Sequence, residues 1–177
     1  MSGSKTGKIK HPRAIAKAEA EALRDRLKPY TYCDPERGYM IDIAGSIRRN
    51  KPKVGDIDIV MVLDPDTAGE LISILYDAGA DVKQKQASWI TELKSGPIEV
   101  ELFFTDPPSY AATLLTRTGP AKFNIRMRTM AKRLGLKLNR YGLYSRFSDA
   151  ALQFETELQY FNAVGLKWLP PSKRDGV

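Results

Sequence analysis

Apolar and polar positions alternate with two different periods along the chain, and the change of period divides it. Between Pro12 and Pro29, Ile15, Ala16, Ala20, Leu23 and Leu27 recur at helical spacing, which predicts a helix over residues 13–28. Residues 39–44 read as a short strand, after which Gly45-Ser46 turns the chain. The run DIDIVMVL over residues 56–63 is rich in β-branched residues and predicts a strand. Thr67 is placed to cap a helix over 68–78 that ends at Gly79. Strands follow near 88–94 and 97–104, with Ser95-Gly96 as the hairpin turn. Asp106-Pro107-Pro108 then breaks the pattern. Helices are expected near 109–116 and 121–134, a small hairpin within 136–144 turning at Asn139 and Gly142, and a last helix over 155–163, with Pro170-Pro171 closing the ordered chain. The expectation is an α+β protein: a mixed or antiparallel sheet with helices on one face over residues 1–105, and a small α/β lobe over 106–177.

Composition narrows the chemistry. His11 is the only histidine and Cys33 the only cysteine, so a Ser-His-Asp triad, a Cys-His pair, multi-histidine metal sites, Cys-cluster zinc sites and an intramolecular disulfide are all excluded. No apolar run reaches the ~18 residues that span a bilayer. The basic start MSGSKTGKIKHPR lacks the apolar segment of a secretory signal, so an intracellular, non-secreted protein without membrane contact is expected. The net charge is +7, and it is unevenly spread. From Pro107 to Ser148 there are nine Lys/Arg (Arg117, Lys122, Arg126, Arg128, Lys132, Arg133, Lys137, Arg140 and Arg146) and no Asp or Glu. A stretch of that kind suits a polyanion such as nucleic acid.

The candidate chemistry lies in Gly45-Ser46-Ile47-Arg48-Arg49, followed six residues later by Asp56-Ile57-Asp58. Side chains two apart on a strand share a face, so Asp56 and Asp58 converge while Ile57, Ile59 and Met61 point the other way. Paired carboxylates are costly without a cation, and hard oxygen ligands suit Mg²⁺ or Mn²⁺. A Gly-Ser turn brings backbone N–H groups to an anion, and Arg49 supplies a planar fork for phosphate. Phosphate clamp and divalent metal together equip a site for phosphoryl transfer. A third carboxylate should come from a neighbouring strand. Glu99 and Glu101 share one face there and either could reach; Asp42 is a further candidate, read as structural.

These residues resemble a family. G-S-x-R-R followed by G-D-I-D is similar to the nucleotidyltransferase palm of the family X DNA polymerases, the group of polymerase beta. The likeness continues through Thr118-Gly119, Phe123-Asn124 and Met127-Arg128, then Leu138-Asn139-Arg140-Tyr141-Gly142-Leu143. It closes with Glu155-Thr156-Glu157-Leu158 and Gly165-Leu166-Lys167-Trp168-Leu169-Pro170-Pro171, and begins at His11-Pro12-Arg13, so it spans residues 11–174. The length leaves no room for further amino-terminal domains, as in the minimal viral polymerase X of that family.

The resemblance implies a magnesium-dependent, template-directed enzyme that adds dNTPs to a primer 3′-hydroxyl, filling short gaps in DNA repair as a monomer. It implies Asp56 and Asp58 as ligands of both metals, with Mn²⁺ able to substitute. Gly45, Ser46, Arg49 and Gly55 would hold the triphosphate; Thr116, Arg117, Thr118, Gly119 and Asn124 would line the nucleotide. Lys122, Arg126, Arg128, Lys132, Arg140 and Tyr141 would face DNA. Counting back from Thr118-Gly119 without gaps selects Glu101 as third carboxylate, and puts Glu99 where polymerase beta has an arginine. Two departures stand out: Glu101 where family members usually have Asp, and Thr116-Arg117 where polymerase beta has two aromatic residues beside the sugar. A terminal, RNA or small-acceptor nucleotidyltransferase and a catalytically inactive DNA-binding module remain as alternative readings.

Overall fold

The computed structural model describes residues 8–145, 147 and 151–176; Arg146 of the basic stretch and the start of the chain through Gly7 lie outside them. In chain order the elements are β1 (His11–Pro12), α1 (Arg13–Leu27), β2 (Cys33–Asp34), β3 (Gly38–Tyr39), β4 (Ile41–Ile43), α2 (Gly45–Arg48), β5 (Lys53–Val54), β6 (Asp56–Val62), α3 (Ala68–Asp77), β7 (Asp81–Lys83), β8 (Gln86–Leu93) and β9 (Gly96–Thr105). After a 3₁₀ turn over Pro107–Ser109 come α4 (Tyr110–Thr118), α5 (Ala121–Arg133), β10 (Leu136–Asn139), β11 (Gly142–Ser145), β12 (Ala151–Leu152), α6 (Glu157–Ala163) and a 3₁₀ segment over Pro171–Gly176.

The main sheet has the order β4-β6-β9-β8-β7, with β6 and β9 parallel and the other pairs antiparallel. It is the mixed sheet expected from the sequence. Its two faces differ because β6 and β9 alternate. Ile57, Ile59 and Met61 with Ile98, Val100, Leu102 and Phe104 bury against Ala16, Ala20, Leu23 and Leu27 of α1 and Leu71 and Leu75 of α3. On the opposite face Val60 and Phe103 pack with Ala44 and Leu114 of α4. Helix α4 therefore covers one half of that face and leaves the other half, where the acidic residues sit, open. Through Ala111, Ala112 and Leu115, α4 also enters the second core, formed with Phe123, Met127, Ala131, Leu138, Leu143, Tyr160, Phe161 and Val164.

Local expectations are corrected in four places. The β8–β9 hairpin turns at Lys94-Ser95, since Leu93 pairs with Gly96; His11 fixes it there, with Nδ1 2.7 Å from Ser95 Oγ and Nε2 donating to the Pro97 carbonyl at 3.1 Å. The strand expected over 39–44 is interrupted at Met40, because Gly38–Tyr39 pairs with Cys33–Asp34 while Ile41–Ile43 pairs with β6. Thr67 precedes α3 but gives it no side-chain cap; its hydroxyl donates instead to the Pro29 carbonyl. The ordered chain also does not close at Pro170-Pro171. The residues beyond fold back, and Arg174 is 0% exposed.

Arg174 completes a buried ion cluster that joins the two cores. Arg48, in α2, donates through both terminal nitrogens to the two Glu157 oxygens at 2.8 Å each, and through Nη1 to Thr118 Oγ1 at 2.7 Å. Arg174 donates to Glu157 Oε1 at 3.0 Å and to the Leu169 carbonyl at 3.0 Å. Its guanidinium lies 5.0–5.4 Å from the ring centroids of Phe123, Phe161 and Trp168. Burial alone would push the Glu157 carboxyl up, but the hydrogen bonds and charges of the two arginines outweigh it and hold the group below the usual glutamate range. A carboxyl depressed in the folded state stabilises the fold above its unfolded value and loses that contribution as pH falls through the folded value.

Glu157→Gln leaves two guanidiniums without their counter-charge, and the expected loss is about 3–5 kcal/mol of unfolding free energy at pH 7. Urea titrations of both proteins from pH 7 to pH 3 check it: the parent should weaken in acid, and the difference between the two should shrink there.

Candidate active site

The site forms where β4 hands the chain to α2. Gly45 adopts φ 56°, and a Cβ built there would stand 1.7 Å from Asp58 Oδ2. Only glycine tolerates both the left-handed backbone and that approach. Gly45-Ser46 is thus not a free turn but the first turn of a four-residue helix, laid directly against the Asp58 carboxylate. At Gly55 the end of a flexible side chain comes close, Lys10 Nζ lying 2.6 Å from the position a Cβ would take.

A cavity of about 310 Å³ opens above this junction, lined by Gly45, Ser46, Arg49, Asp56 and Asp58 from the sheet side and by Thr116, Arg117, Gly119, Pro120, Ala121 and Asn124 from α4 and α5. Residues some 60 positions apart in the expected site are thereby brought to one cleft. Ser46 Oγ is buried and has no hydrogen-bond partner. A hydroxyl left unsatisfied beside such a cleft is suited to a ligand oxygen. Asn124 is oriented by donating to the Thr116 carbonyl at 2.8 Å. Arg49 is anchored at one edge: Nε donates to Asp175 Oδ1 at 3.1 Å and Nη1 to the Thr118 carbonyl. Two of its five N–H donors are so taken, and the rest remain for an anion. Thr118 itself is buried and receives Arg48, and so supports the cleft from behind.

The acidic residues occupy two rungs of the parallel ladder. Asp56 pairs with Glu99 and Asp58 with Glu101, all on the face that carries Val60 and Phe103. Both glutamates therefore sit opposite an aspartate, each aspartate with its own neighbour. Glu101 accepts from Gln86 Nε2 at 3.1 Å, while Glu99 and Asp56 share Lys8. Asp42 accepts from the Tyr110 hydroxyl at 2.9 Å, beneath α4, which is a structural role.

Burial first, and then the charges of Asp56 and Glu101, push the Asp58 carboxyl up to about 7. Burial and the neighbouring Glu99 and Asp56 likewise raise Glu101. Carboxylates so frustrated, themselves hard oxygen ligands, fit a hard divalent cation. Among the described residues no three His, Cys, Asp or Glu side chains are gathered so as to hold a metal ion by themselves; water and substrate phosphates complete the shell of Mg²⁺ in sites of this type.

Arg117 departs from its expected description. Its guanidinium lies 3.7 Å from the centroid of the Phe103 ring, and its buried Nε has no partner. The remaining basic candidates lie elsewhere. Lys122, Arg126, Arg128 and Lys132 are exposed along α5, whose Phe123, Met127 and Ala131 point inward. Arg140 and Tyr141 line a separate cleft with Lys83, Gln84, Lys85 and Gln86, and Arg140 and Lys85 both lie against the Tyr141 ring. Sequence reasoning missed Lys8, Lys10, Gln86, Phe103 and Asp175. Of these only Lys8 and Lys10 carried a signal, as cations just ahead of His11-Pro12-Arg13.

Residues 113–175 match the family model for the DNA polymerase beta thumb. The chain is similar to the Repair DNA polymerase X of African swine fever virus (isolate Tick/South Africa/Pretoriuskop Pr4/1996), 26% identical over 136 residues, covering 73% of this chain and 78% of the relative. It is 27% identical over 138 residues to the DNA polymerase/3′-5′ exonuclease PolX of Bacillus subtilis (strain 168), which covers 75% of this chain but 24% of that protein. Among solved structures, polymerase beta of Leishmania infantum, in a ternary P/T complex, matches with a TM-score of 0.77 at 21% identity, over 94% of this chain and 77% of that one.

The Asp58 carboxyl gives a test that needs no substrate. Its folded-state value lies above the ordinary 3.8, so stability falls as pH rises from there through about 7. In metal-free buffer Asp58→Asn should be more stable than the parent at pH 8, by at least about 1.4 kcal/mol, the equivalent of one pKa unit. The gap should close near pH 4, as read by thermal melts across that range.

Proposed function

We propose that this chain, which belongs with the minimal family X DNA polymerases, is a template-directed DNA polymerase that fills short gaps by adding dNTPs to a primer 3′-hydroxyl. The observation that carries the reading is the single cleft in which Ser46, with its unsatisfied hydroxyl, and Arg49 lie beside Asp56 and Asp58 and face Asn124 across the junction. The relatives' names and the thumb match support the same activity.

In this reading Ser46, the free donors of Arg49 and the backbone at Gly45 and Gly55 hold the triphosphate, with Lys10 added to that set by its place at Gly55. Asp56, Asp58 and Glu101 would hold Mg²⁺ or Mn²⁺, which when bound supplies charge for the attacking and leaving oxygens. Glu101 is kept in place by Gln86, and Asp58 by the glycine against it. Asn124 and Thr116 flank the nucleotide. Arg117, fixed flat on Phe103, borders the sugar without an aromatic ring of its own. The exposed cations of α5, with Arg140 and Tyr141, hold DNA through its phosphates, which orient the duplex and supply most of the affinity. The palm over 1–105 would carry the chemistry and the lobe over 106–177 the grip on base pair and DNA. Among the described residues no helix is long and apolar enough to cross a membrane.

Primer extension on one-nucleotide-gapped DNA, with each dNTP and rNTP separately in Mg²⁺ and in Mn²⁺, is the direct test. Incorporation should follow the template base. Asp56→Asn, Asp58→Asn and Glu101→Gln should each lose about 10³-fold or more in turnover, as removal of a group acting only in the transition state does. DNA affinity should change little in all of them. Untemplated addition would favour a terminal transferase, and DNA binding without any incorporation an inactive binding module.

A further inference from the structure

The two acidic rungs are neutralised in different ways. In the inner rung, among the described residues, no ammonium pairs with Asp58 or Glu101, and the cations whose charge reaches Asp58 are the guanidiniums of Arg117, which lies over Phe103, and Arg49. In the outer rung, Lys8 Nζ lies 2.9 Å from Asp56 Oδ2 and 2.9 Å from Glu99 Oε2. One ammonium thus closes the gap between two side-by-side carboxylates that would otherwise repel. Three residues on from Lys8, His11 pairs with Val54 of β5 and reaches Ser95 and Pro97 of the β8–β9 hairpin. So short a tether keeps the local concentration of the ammonium high.

We propose that Lys8 is a positioning residue of the metal site: a tethered counter-ion that occupies the Asp56–Glu99 rung and so confines divalent cations to Asp56, Asp58 and Glu101. Glu99 is then the second anchor of Lys8 and no metal ligand. The geometry gives each member a reason. Asp56 Oδ2 is engaged by the ammonium, which orients the carboxylate as an outer partner does around a metal ligand. Glu99 would be an unpaired charge next to Asp56 without Lys8. The inference rests on the metal-dependent reading given above.

Mn²⁺ binding to the full chain, without DNA or nucleotide and at low salt, tests it by electron paramagnetic resonance of the free ion. Asp58→Asn is run alongside and should lose the binding seen in the parent; if it does not, the metal reading itself fails, whatever Lys8 does. Lys8→Met should bind Mn²⁺ more tightly, by up to about fivefold, the upper range for a half-exposed ion pair. The gain should vanish in Lys8→Met/Glu99→Gln, which restores the parent's net charge and removes the vacated rung. Lys8→Arg should behave as the parent. Lys10→Met removes the same charge nearby and should gain less than Lys8→Met. An unchanged isotherm in Lys8→Met, a gain that survives Glu99→Gln, or an equal gain in Lys10→Met overturns the proposal.

Discussion

One buried carboxylate holds the arrangement together. Glu157, at the start of α6, sits between Arg48 of the catalytic-side helix α2 and Arg174 near the carboxyl end. Removing Glu157 leaves both guanidiniums without their counter-charge, so the position of this one carboxylate fixes the geometry of the cluster. That geometry decides where the lobe stands. Arg48 also binds Thr118, and the neighbouring Arg49 binds the Thr118 carbonyl and Asp175. The end of α4, and with it Thr116, Arg117 and Gly119, is held over Asp56 and Asp58 by Arg48 from behind and by Arg49 at the edge of the cleft. Arg174 in turn is enclosed by Phe123, Phe161 and Trp168, which ties the ion cluster to the apolar core of the lobe.

The same economy of position governs the acidic face. The parallel register of β6 and β9 forces Asp56 beside Glu99 and Asp58 beside Glu101. Their opposite face carries Ile57 and Val100 into the main core, so neither strand can slip by a residue without burying charge. Repulsion among these carboxylates is therefore built in. The fold meets it with Lys8 outside, and leaves Asp58 inside with a carboxyl that resists ionisation. A site poised in that way gains most from a cation that arrives with its substrate.

Much of this was legible in the sequence. The β-branched run gave β6 and the 3.6-residue spacing gave α1, because those patterns record burial. The pairing of Asp56 with Asp58 followed from the alternation of side chains along a strand. What could not be read were contacts between distant segments. Lys94-Ser95 and Ser95-Gly96 are equally good turns locally, and it is His11, 84 residues from Ser95, that meets the hairpin there. Thr67 has the chemistry of a cap, but the Pro29 carbonyl lies within its reach. Pro170-Pro171 reads as an end because nothing local announces that Arg174 will be buried among aromatic rings and Asp175 will hold Arg49. Glu99 and Glu101 were indistinguishable by spacing; their difference comes from Lys8 on one side and Gln86 on the other.

The Arg117–Phe103 pair shows how such a long-range contact changes a functional reading. In the sequence, Thr116-Arg117 looks like the loss of a rigid surface beside the nucleotide, since a free arginine has several rotatable bonds. In the fold the guanidinium rests 3.7 Å from the ring of Phe103, two residues past Glu101 on the same face of β9. Stacking fixes its plane, and burial with the nearby Arg140 lowers its proton affinity, while the charges of Glu101 and Asp58 favour the cation. The rigid element beside the cleft is thus a plate of donors where an aromatic edge would be purely steric. A steric wall can only exclude, whereas a guanidinium can donate hydrogen bonds to what enters the cleft it lines.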